Sequence, residues 1–160
     1  MNLRTRSLLL GALLALPRAG SAATTCTIAS GTLAFAPYDV FNGTPLDTQA
    51  NVVVTCTRNG GPPSTTVTLA LGPSTTSGAI ATRRLRRTAG TDLLDYNVYR
   101  DAARLGVWGQ TSGVDTVAQT LSVPNKSSAN VSFTLFGRIP AGQDPSAGSY
   151  SDSLLMTISF

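Results

Sequence analysis

Three features of the sequence predict an all-β fold, a sandwich of short strands. The composition favours strands over helices, because all eight acidic residues are Asp, Lys126 is the only lysine, and Thr, Ser, Val and Gly are plentiful. Apolar residues recur at every second position in several segments, which is the period of a half-buried strand. Turn signals rich in Gly, Pro and Asn separate about seven or eight such segments, which is typical of a β-sandwich.

The C-terminal stretch Tyr150–Phe160 shows the clearest alternation. Large apolar residues occupy every second position from Leu154 onward, and the residues between them are mostly polar. Burial of four such side chains contributes roughly 6–12 kcal/mol in gross terms, which rivals the net stability of a typical domain, about 5–15 kcal/mol. We therefore expect this strand to be held firmly, with its second edge covered by an earlier strand or by another protein. The expected inward-facing residues are Leu154, Met156, Ile158 and Phe160.

The start of the chain is typical of an export signal. Arg4 and Arg6 precede the apolar run Leu8–Leu16, and small residues follow it. The apolar run is much shorter than the roughly 20 residues that span a bilayer, so no membrane span is expected after signal cleavage. Residues 1–22 are the predicted signal peptide, and residues 23–160 are predicted to form a single domain.

The charge balance gives no support to nucleic-acid binding. Removal of the predicted signal leaves nine of the 12 basic residues against eight acidic ones, so the exported domain is nearly neutral. Binding to nucleic acids or to anionic membranes depends on a strong basic excess. We therefore expect neither as a partner.

The chain has two cysteines, Cys26 and Cys56. An even count in an exported protein predicts one disulfide, and two free buried thiols are the alternative. Closing a loop of about 31 residues would contribute roughly 3.7 kcal/mol in the chain-entropy model. A metal site is not expected, because two sulfurs in a chain without histidine make a poor ligand set.

The middle of the chain is predicted to contain several further strands. Asn51–Thr57 is apolar at consecutive positions, so we expect it to be central and apolar on both faces. The segment Gly72–Gly90 is expected to be rich in loops. The other predicted strands are Cys26–Phe35 (with a break at Ser30-Gly31), Thr65–Leu71, Leu93–Tyr99, Thr116–Val123 and Asn130–Ile139.

No group of residues has the spacing of a catalytic site. The lack of histidine excludes Ser-His-Asp and Cys-His sites, and the lack of glutamate leaves only Asp for an acid pair. The pairs Asp92/Asp95 and Asp144/Asp152 are candidates, but Asp in such settings usually caps turns. We therefore expect no enzyme activity and no cofactor. A small secreted hydrolase that uses Asp residues is kept as a less favoured hypothesis.

The basic cluster Arg83–Arg87 and the single tryptophan, Trp108, each allow two interpretations. The cluster is either a contact patch for an acidic partner or a polysaccharide, or a solvated hairpin or loop that pairs with Asp92 and Asp95, which we favour. Trp108 is either a ligand platform or, as we favour, part of the core. The alternative function built on these residues is a complete secreted β-sandwich that binds a carbohydrate or surface ligand.

Several short segments, taken in order, carry a family resemblance. They are CTIASGTLAF at Cys26–Phe35 with Tyr38-Asp39, NVVVTCT at 51–57, LDYNVYRD at 94–101, Val107-Trp108-Gly109, FGRIPAGQ at 136–143, and Gly148, Tyr150 and Asp152. These segments cover nearly all of the exported domain, and together they resemble the spore coat protein U domain family. This family is best known as pilin subunits of archaic chaperone–usher pili in Gram-negative bacteria, and as a domain of their tip adhesins.

The resemblance implies an immunoglobulin-like β-sandwich that lacks its last strand. A strand from another protein would complete it beside the C-terminal strand, which is called donor-strand complementation. The implied partners are a periplasmic pilus chaperone, an outer-membrane usher and other pilin subunits. The implied role is a structural subunit of a pilus or surface fibre, active in adhesion or biofilm, exported to the periplasm and then to the cell surface. Residues expected at the groove are Leu154, Met156, Ile158 and Phe160, with Val131, Phe133 and Leu135 as neighbours.

The sequence departs from the family pattern ahead of its first cysteine. A fibre-forming pilin carries an alternating apolar donor segment there, but only Ala23, Thr24 and Thr25 separate the predicted cleavage site from Cys26. Three extended residues reach about 10 Å, which is too short to complete a neighbour. We therefore expect the chain to receive a strand without giving one, as a terminal or tip-associated subunit would.

Overall fold

The computed structural model describes residues 23–160, and all their regular secondary structure is β-strand. The all-β prediction is confirmed. The predicted signal peptide, residues 1–22, lies outside the described residues. The strands of the described part are β1 (Ala23–Ile28), β2 (Leu46–Asn59), β3 (Ser64–Ser74), β4 (Arg83–Arg87), β5 (Leu93–Tyr99), β6 (Val117–Ser122), β7 (Ser127–Ile139), β8 (Tyr150–Ser151) and β9 (Leu154–Ser159).

The strands form two antiparallel sheets with an immunoglobulin-like order. One sheet has six strands in the order β1-β2-β7-β5-β4-β8, and the other has three in the order β6-β3-β9. In immunoglobulin domains one sheet runs A-B-E-D and the other C-F-G. β1, β2, β7 and β5 take the places of A, B, E and D, while β3 and β9 take those of C and F. No strand among residues 23–160 takes the place of G, which would lie beside β9.

The core lies between the inner faces of the two sheets. The alternating apolar residues of β3 and β7 are buried, as their period of two predicted. Trp108 is 1% exposed, and its indole N–H donates to the carbonyl oxygen of Leu69 at 3.0 Å, so it belongs to the core. Its ring lies 6.4 Å from that of Phe133. The other fully buried aliphatic residues include Val52, Val54, Val67, Leu71, Val98, Val123 and Ile139.

The first strand is shorter than predicted. β1 ends at Ile28, and residues 29–41 follow as an irregular segment instead of a strand to Phe35. This segment lies against the inner face of the six-stranded sheet, where Leu33 and Phe35 fill the space that a side chain at Gly137 would occupy. The alternation of Leu33 and Phe35 therefore reflects packing onto a sheet and not pairing within one.

The C-terminal stretch forms two strands in different sheets, and the prediction of a single strand is wrong. β8 pairs with β4, whereas β9 pairs with β3. Asp152 and Ser153 carry the chain from one sheet to the other. Phe160 lies beyond β9 and is 55% exposed. The alternation of inward and outward side chains continues where the chain passes from one sheet to the other, so the sequence pattern does not reveal the change of sheet.

Two further expectations about strands are confirmed. β2 is central, between β1 and β7, and apolar residues lie on both of its faces: Val52 and Val54 are buried, and Val53 is 40% exposed on the other face. Residues 72–90 are rich in loops, because only the end of β3 and the short β4 are strands there. In this region β3 continues through a register shift between Leu71 and Ser74.

Candidate functional site

β9 is an edge strand with an incompletely covered apolar row. Within the described chain it pairs with β3 alone. Leu154, Met156 and Ile158 pack against the core but stay half-buried, whereas Leu155 points outward and is 72% exposed. An unpaired edge above half-buried apolar side chains is the arrangement that an added strand completes.

A groove of about 1100 Å³ lies beside this edge. The irregular segment 31–41 forms one wall, and residues 150–154 with Met156 belong to the other. Apolar side chains from both sheets make up most of the floor. This shape and lining suit an extended segment whose alternate side chains are apolar. The floor residues are Leu71, Leu85, Leu94, Tyr96, Val98, Leu135 and Ile139.

The first wall is fixed by close packing and by hydrogen bonds. A Cβ atom at Gly137 would lie 2.8 Å from both Leu33 Cδ2 and Phe35 Cζ, so only glycine admits the segment here. The hydroxyl of Thr48 donates to the carbonyl oxygen of Ala34 at 2.7 Å. These contacts hold the segment at a set distance from β9 and keep the groove open.

The second wall is held by Asp152, at the crossing between β8 and β9. Its Oδ2 accepts a hydrogen bond from the Tyr96 hydroxyl at 2.8 Å, and its Oδ1 accepts one from the Thr75 hydroxyl at 2.9 Å. Burial alone would raise the pKa of Asp152, but the hydrogen bonds that its carboxylate accepts, including those from Tyr96 and Thr75, outweigh burial and lower it. Burial, together with the bond to Asp152, raises the pKa of Tyr96, so the phenol remains a donor.

The groove is lined by only some of the residues that the sequence analysis predicted for it. Its lining includes Leu154, Met156 and Leu135. The remaining predicted residues do not line it: Val131 and Phe133 are buried in the core, Ile158 is half-buried, and Phe160 is exposed. The cavity therefore lies along the first half of β9.

Sequence reasoning missed the wall opposite β9. Leu33, Phe35 and Tyr38 line the groove from the irregular segment. Gly31 and Pro37 were signals against a regular strand there, but they do not say which surface the segment packs on. That depends on the space left by Gly137, which is far away in sequence.

The predicted disulfide joins Cys26 on β1 to Cys56 on β2. The two residues lie directly opposite each other in the strand register. Cys56 is fully buried. The bond therefore pins the first strand to the sheet at a point inside the core.

The basic cluster does not form one surface, because Arg83 is fully buried. Its guanidinium group donates to the carbonyl oxygens of Leu71, Gly72 and Trp108 and to Oδ1 of Asn97. Burial lowers the pKa of Arg83. This side chain ties β3, β5 and the Trp108 loop together inside the fold.

Two other arginines of the cluster match the hairpin interpretation. Arg84 Nε lies 2.8 Å from Asp95 Oδ1, and Arg87 Nη1 lies 3.5 Å from Asp92 Oδ2, across the β4–β5 hairpin. Arg86 is exposed. Of the residues on which the alternative function rested, the buried Arg83 and Trp108 are therefore not accessible to a ligand.

Neither a metal cluster nor a membrane-spanning helix is found in the described part of the chain. Across residues 23–160, no three His, Cys, Asp or Glu side chains come together as a metal site would require. No helix in the same range has the length and apolar character needed to cross a membrane.

Fold and groove together define a β-sandwich domain with one open strand position. The chain belongs to the Spore Coat Protein U domain family, whose model matches residues 14–157. The predicted family is confirmed. Protein U of Myxococcus xanthus is 35% identical over 147 residues, which cover 84% of this chain and 77% of Protein U.

Two solved structures of fimbrial proteins are similar at low sequence identity. One belongs to work on a chaperone–tip adhesin complex in CFA/I fimbriae biogenesis, with 13% identity and a TM-score of 0.41. The match covers 84% of this chain and 42% of the chain in that structure. The other is the E. coli Hda pilus minor tip subunit, HdaB, with 13% identity, a TM-score of 0.37, and coverage of 82% of this chain and 79% of HdaB.

Proposed function

We propose that this chain is a structural subunit of a chaperone–usher pilus or surface fibre and has no enzymatic role. The observation that carries the proposal is the unpaired edge of β9 beside an apolar groove of about 1100 Å³. Membership of the Spore Coat Protein U domain family supports it, because the resemblance to that family's pilins implies a sandwich completed by another chain.

The groove acts by accepting a strand. Main-chain groups of the incoming segment pair with β9, and its alternate apolar side chains enter the space above Leu135 and Met156. A periplasmic pilus chaperone supplies this strand first, and another pilin subunit supplies it in the fibre, with an outer-membrane usher in between. The chain is exported through its predicted signal, residues 1–22, and acts at the cell surface in adhesion or biofilm.

The pairing of β1 supports a receiving role. Every residue from Ala23 to Ile28 pairs with β2, and Cys26 is bonded to Cys56. Among residues 23–160, the part ahead of the disulfide is thus engaged in the chain's own sheet and is not free to enter a neighbour. For such a receiving subunit we propose a terminal or tip-associated position in the fibre.

Urea unfolding tests the proposal directly. The oxidised domain, residues 23–160, is unfolded alone and in a mixture with its candidate chaperone. We expect the domain alone to aggregate or unfold without cooperativity, and the one-to-one complex to unfold cooperatively. A soluble monomer with several kcal/mol of stability by itself would show that the sandwich is already complete, and the proposal would fail.

A further inference from the structure

The direction of the main-chain groups on β9 follows from its pairing with β3. Along an antiparallel strand, the N–H and C=O of one residue point to the same side, and the side alternates from residue to residue. The amide of Leu71 on β3 donates to the carbonyl oxygen of Gly109 at 2.8 Å, away from β9. Met156 lies opposite Leu71 in the register, so its own N–H and C=O point away from β3.

The main-chain groups of the odd-numbered residues of β9 point the other way, toward β3. The carbonyl oxygen of Ser153 accepts a hydrogen bond from the amide of Thr75 at 3.2 Å, on the β3 side. The carbonyl oxygen of Leu155 lies 3.3 Å from the position of a Cβ atom on Gly72, again on the β3 side. Two independent contacts therefore show that odd-numbered residues direct their main-chain groups toward β3.

Three residues consequently direct their main-chain groups toward the missing strand. Resting on the proposed function, we infer that a partner strand binds β9 through the N–H and C=O groups of Leu154, Met156 and Ile158 only. The same residues present their apolar side chains to the core. The partner is an extended segment with apolar residues at positions i, i+2 and i+4, because its inward-facing residues must match these three.

The position of the cavity determines where along β9 the partner's largest side chain fits. The cavity reaches Leu154 and Met156 but not Ile158. Leu33, Phe35 and Tyr96 surround the same half of the groove. The largest side chain of the partner therefore enters at the Leu154–Met156 end, and a smaller one faces Ile158.

The test fuses a donor to the chain itself. A flexible Gly/Ser linker after Phe160 is followed by a synthetic segment in which Thr alternates with Val, which allows an antiparallel hairpin with β9. We call this the donor-fused chain. The matched control carries Thr in place of every Val of that segment. Hydrogen exchange of individual amides is measured by NMR for both proteins.

The expected result is residue-specific. Amides of Leu154, Met156 and Ile158 should exchange at least about tenfold more slowly in the donor-fused chain than in the control, because bonded amides exchange only by opening. Amides of Leu155 and Thr157, which β3 already binds, should differ between the two proteins much less than those three amides.

The two proposals fail in different ways. If the donor-fused chain is no more stable than the Thr-only control, the strand-accepting function is wrong and the inference falls with it. If the donor stabilises the chain but the protected amides lie on β1 or β6, the function stands and the inference is overturned. Protection of the Met156 amide in the control would show that this chain or a second copy already fills the edge, which also overturns it.

A second measurement tests the size order. One Val of the donor at a time is replaced by Phe, and the urea midpoint of each protein is compared. In the hairpin, the inward position farthest from the linker faces the Leu154 end, so Phe should stabilise the protein most there. A maximum at the position nearest the linker, beside Ile158, would contradict the inference.

Discussion

The Tyr96 hydroxyl donates a hydrogen bond to Asp152 Oδ2 over 2.8 Å, joining β5 to the crossing between β8 and β9. The ring of Tyr96 also meets that of Phe35 edge-on, with 6.1 Å between centroids. One side chain on the groove floor thus contacts both walls. The width of the groove therefore depends on Tyr96.

Acid should weaken the fold partly through Asp152. Its pKa is lowered in the folded protein, because hydrogen bonds outweigh the opposing effect of burial. The ionised carboxylate thus gives stability that is fully present above about pH 4, the range of an unfolded Asp, and is lost as the pH falls through the folded pKa. Asp152→Asn should cost the donor-fused chain about 1–2 kcal/mol at pH 7 and flatten its loss of stability below about pH 4.

Urea curves at neutral and acidic pH measure both effects. Asp144→Asn is the control, because Asp144 is exposed in a loop. An Asp152→Asn protein whose stability falls with acid as steeply as the unmodified chain would show that Asp152 has no such role.

A larger residue at position 137 should displace the first wall. Gly137→Val places side-chain atoms where Leu33 and Phe35 now lie. We expect a loss of about 1–3 kcal/mol in the donor-fused chain, from overpacking against this segment. Gly43→Val is the matched control, because nothing lies within 4 Å of a Cβ atom there. Equal urea midpoints for the two variants would show that residues 33–35 do not need the space.

Arg83 should be essential for stability although it lies in a basic cluster. Arg83→Met leaves buried carbonyl oxygens of Leu71, Gly72 and Trp108 without their donor. The expected cost is at least about 3 kcal/mol, and Arg83→Lys should recover only part of it, because a lysine cannot reproduce the planar fork.

The control for this prediction is Arg86→Met, at an exposed position of the same strand. A surface change of this kind should stay within about 0.5 kcal/mol. Thermal or urea unfolding of the donor-fused chain gives the comparison, and similar losses at both positions would refute the special role of Arg83.

Removal of the disulfide should lower both stability and yield. The double variant Cys26→Ser with Cys56→Ser should lose about 2–4 kcal/mol, because the unfolded chain gains the freedom of an unclosed loop. Unfolding with and without a reducing agent provides the control, since only the unmodified chain should respond to reduction. An unchanged midpoint in the double variant would mean that the bond is not structural.

Capture by a chaperone should depend on the inward face of β9. Met156→Asp puts a charge into the groove and should abolish capture, and Ile158→Asp should do the same from its half-buried position. Leu155→Asp is the control, because Leu155 is 72% exposed on the outer face. Co-purification with the chaperone measures the outcome, and equal capture of Met156→Asp and Leu155→Asp would place the binding surface elsewhere.

The alternation of apolar residues was enough to predict which side chains of a strand face the core. Val67, Leu69 and Leu71, and likewise Val131 and Phe133, are buried as their alternation predicted. The all-β class, the disulfide and the family could also be recognised, because composition, cysteine count and short motifs are properties of the chain itself.

Only the tertiary structure decided how those strands combine into a site. The crossing at Asp152, the place of Leu33 and Phe35 against Gly137, and the burial of Arg83 all depend on residues distant in sequence. The two-residue alternation of apolar side chains shows which side of a strand faces inward. The same alternation occurs in strands of either sheet, and in a segment that packs on a sheet without pairing with it. The sequence therefore determined that β9 has an apolar face, and the fold decided which half of that face remains open.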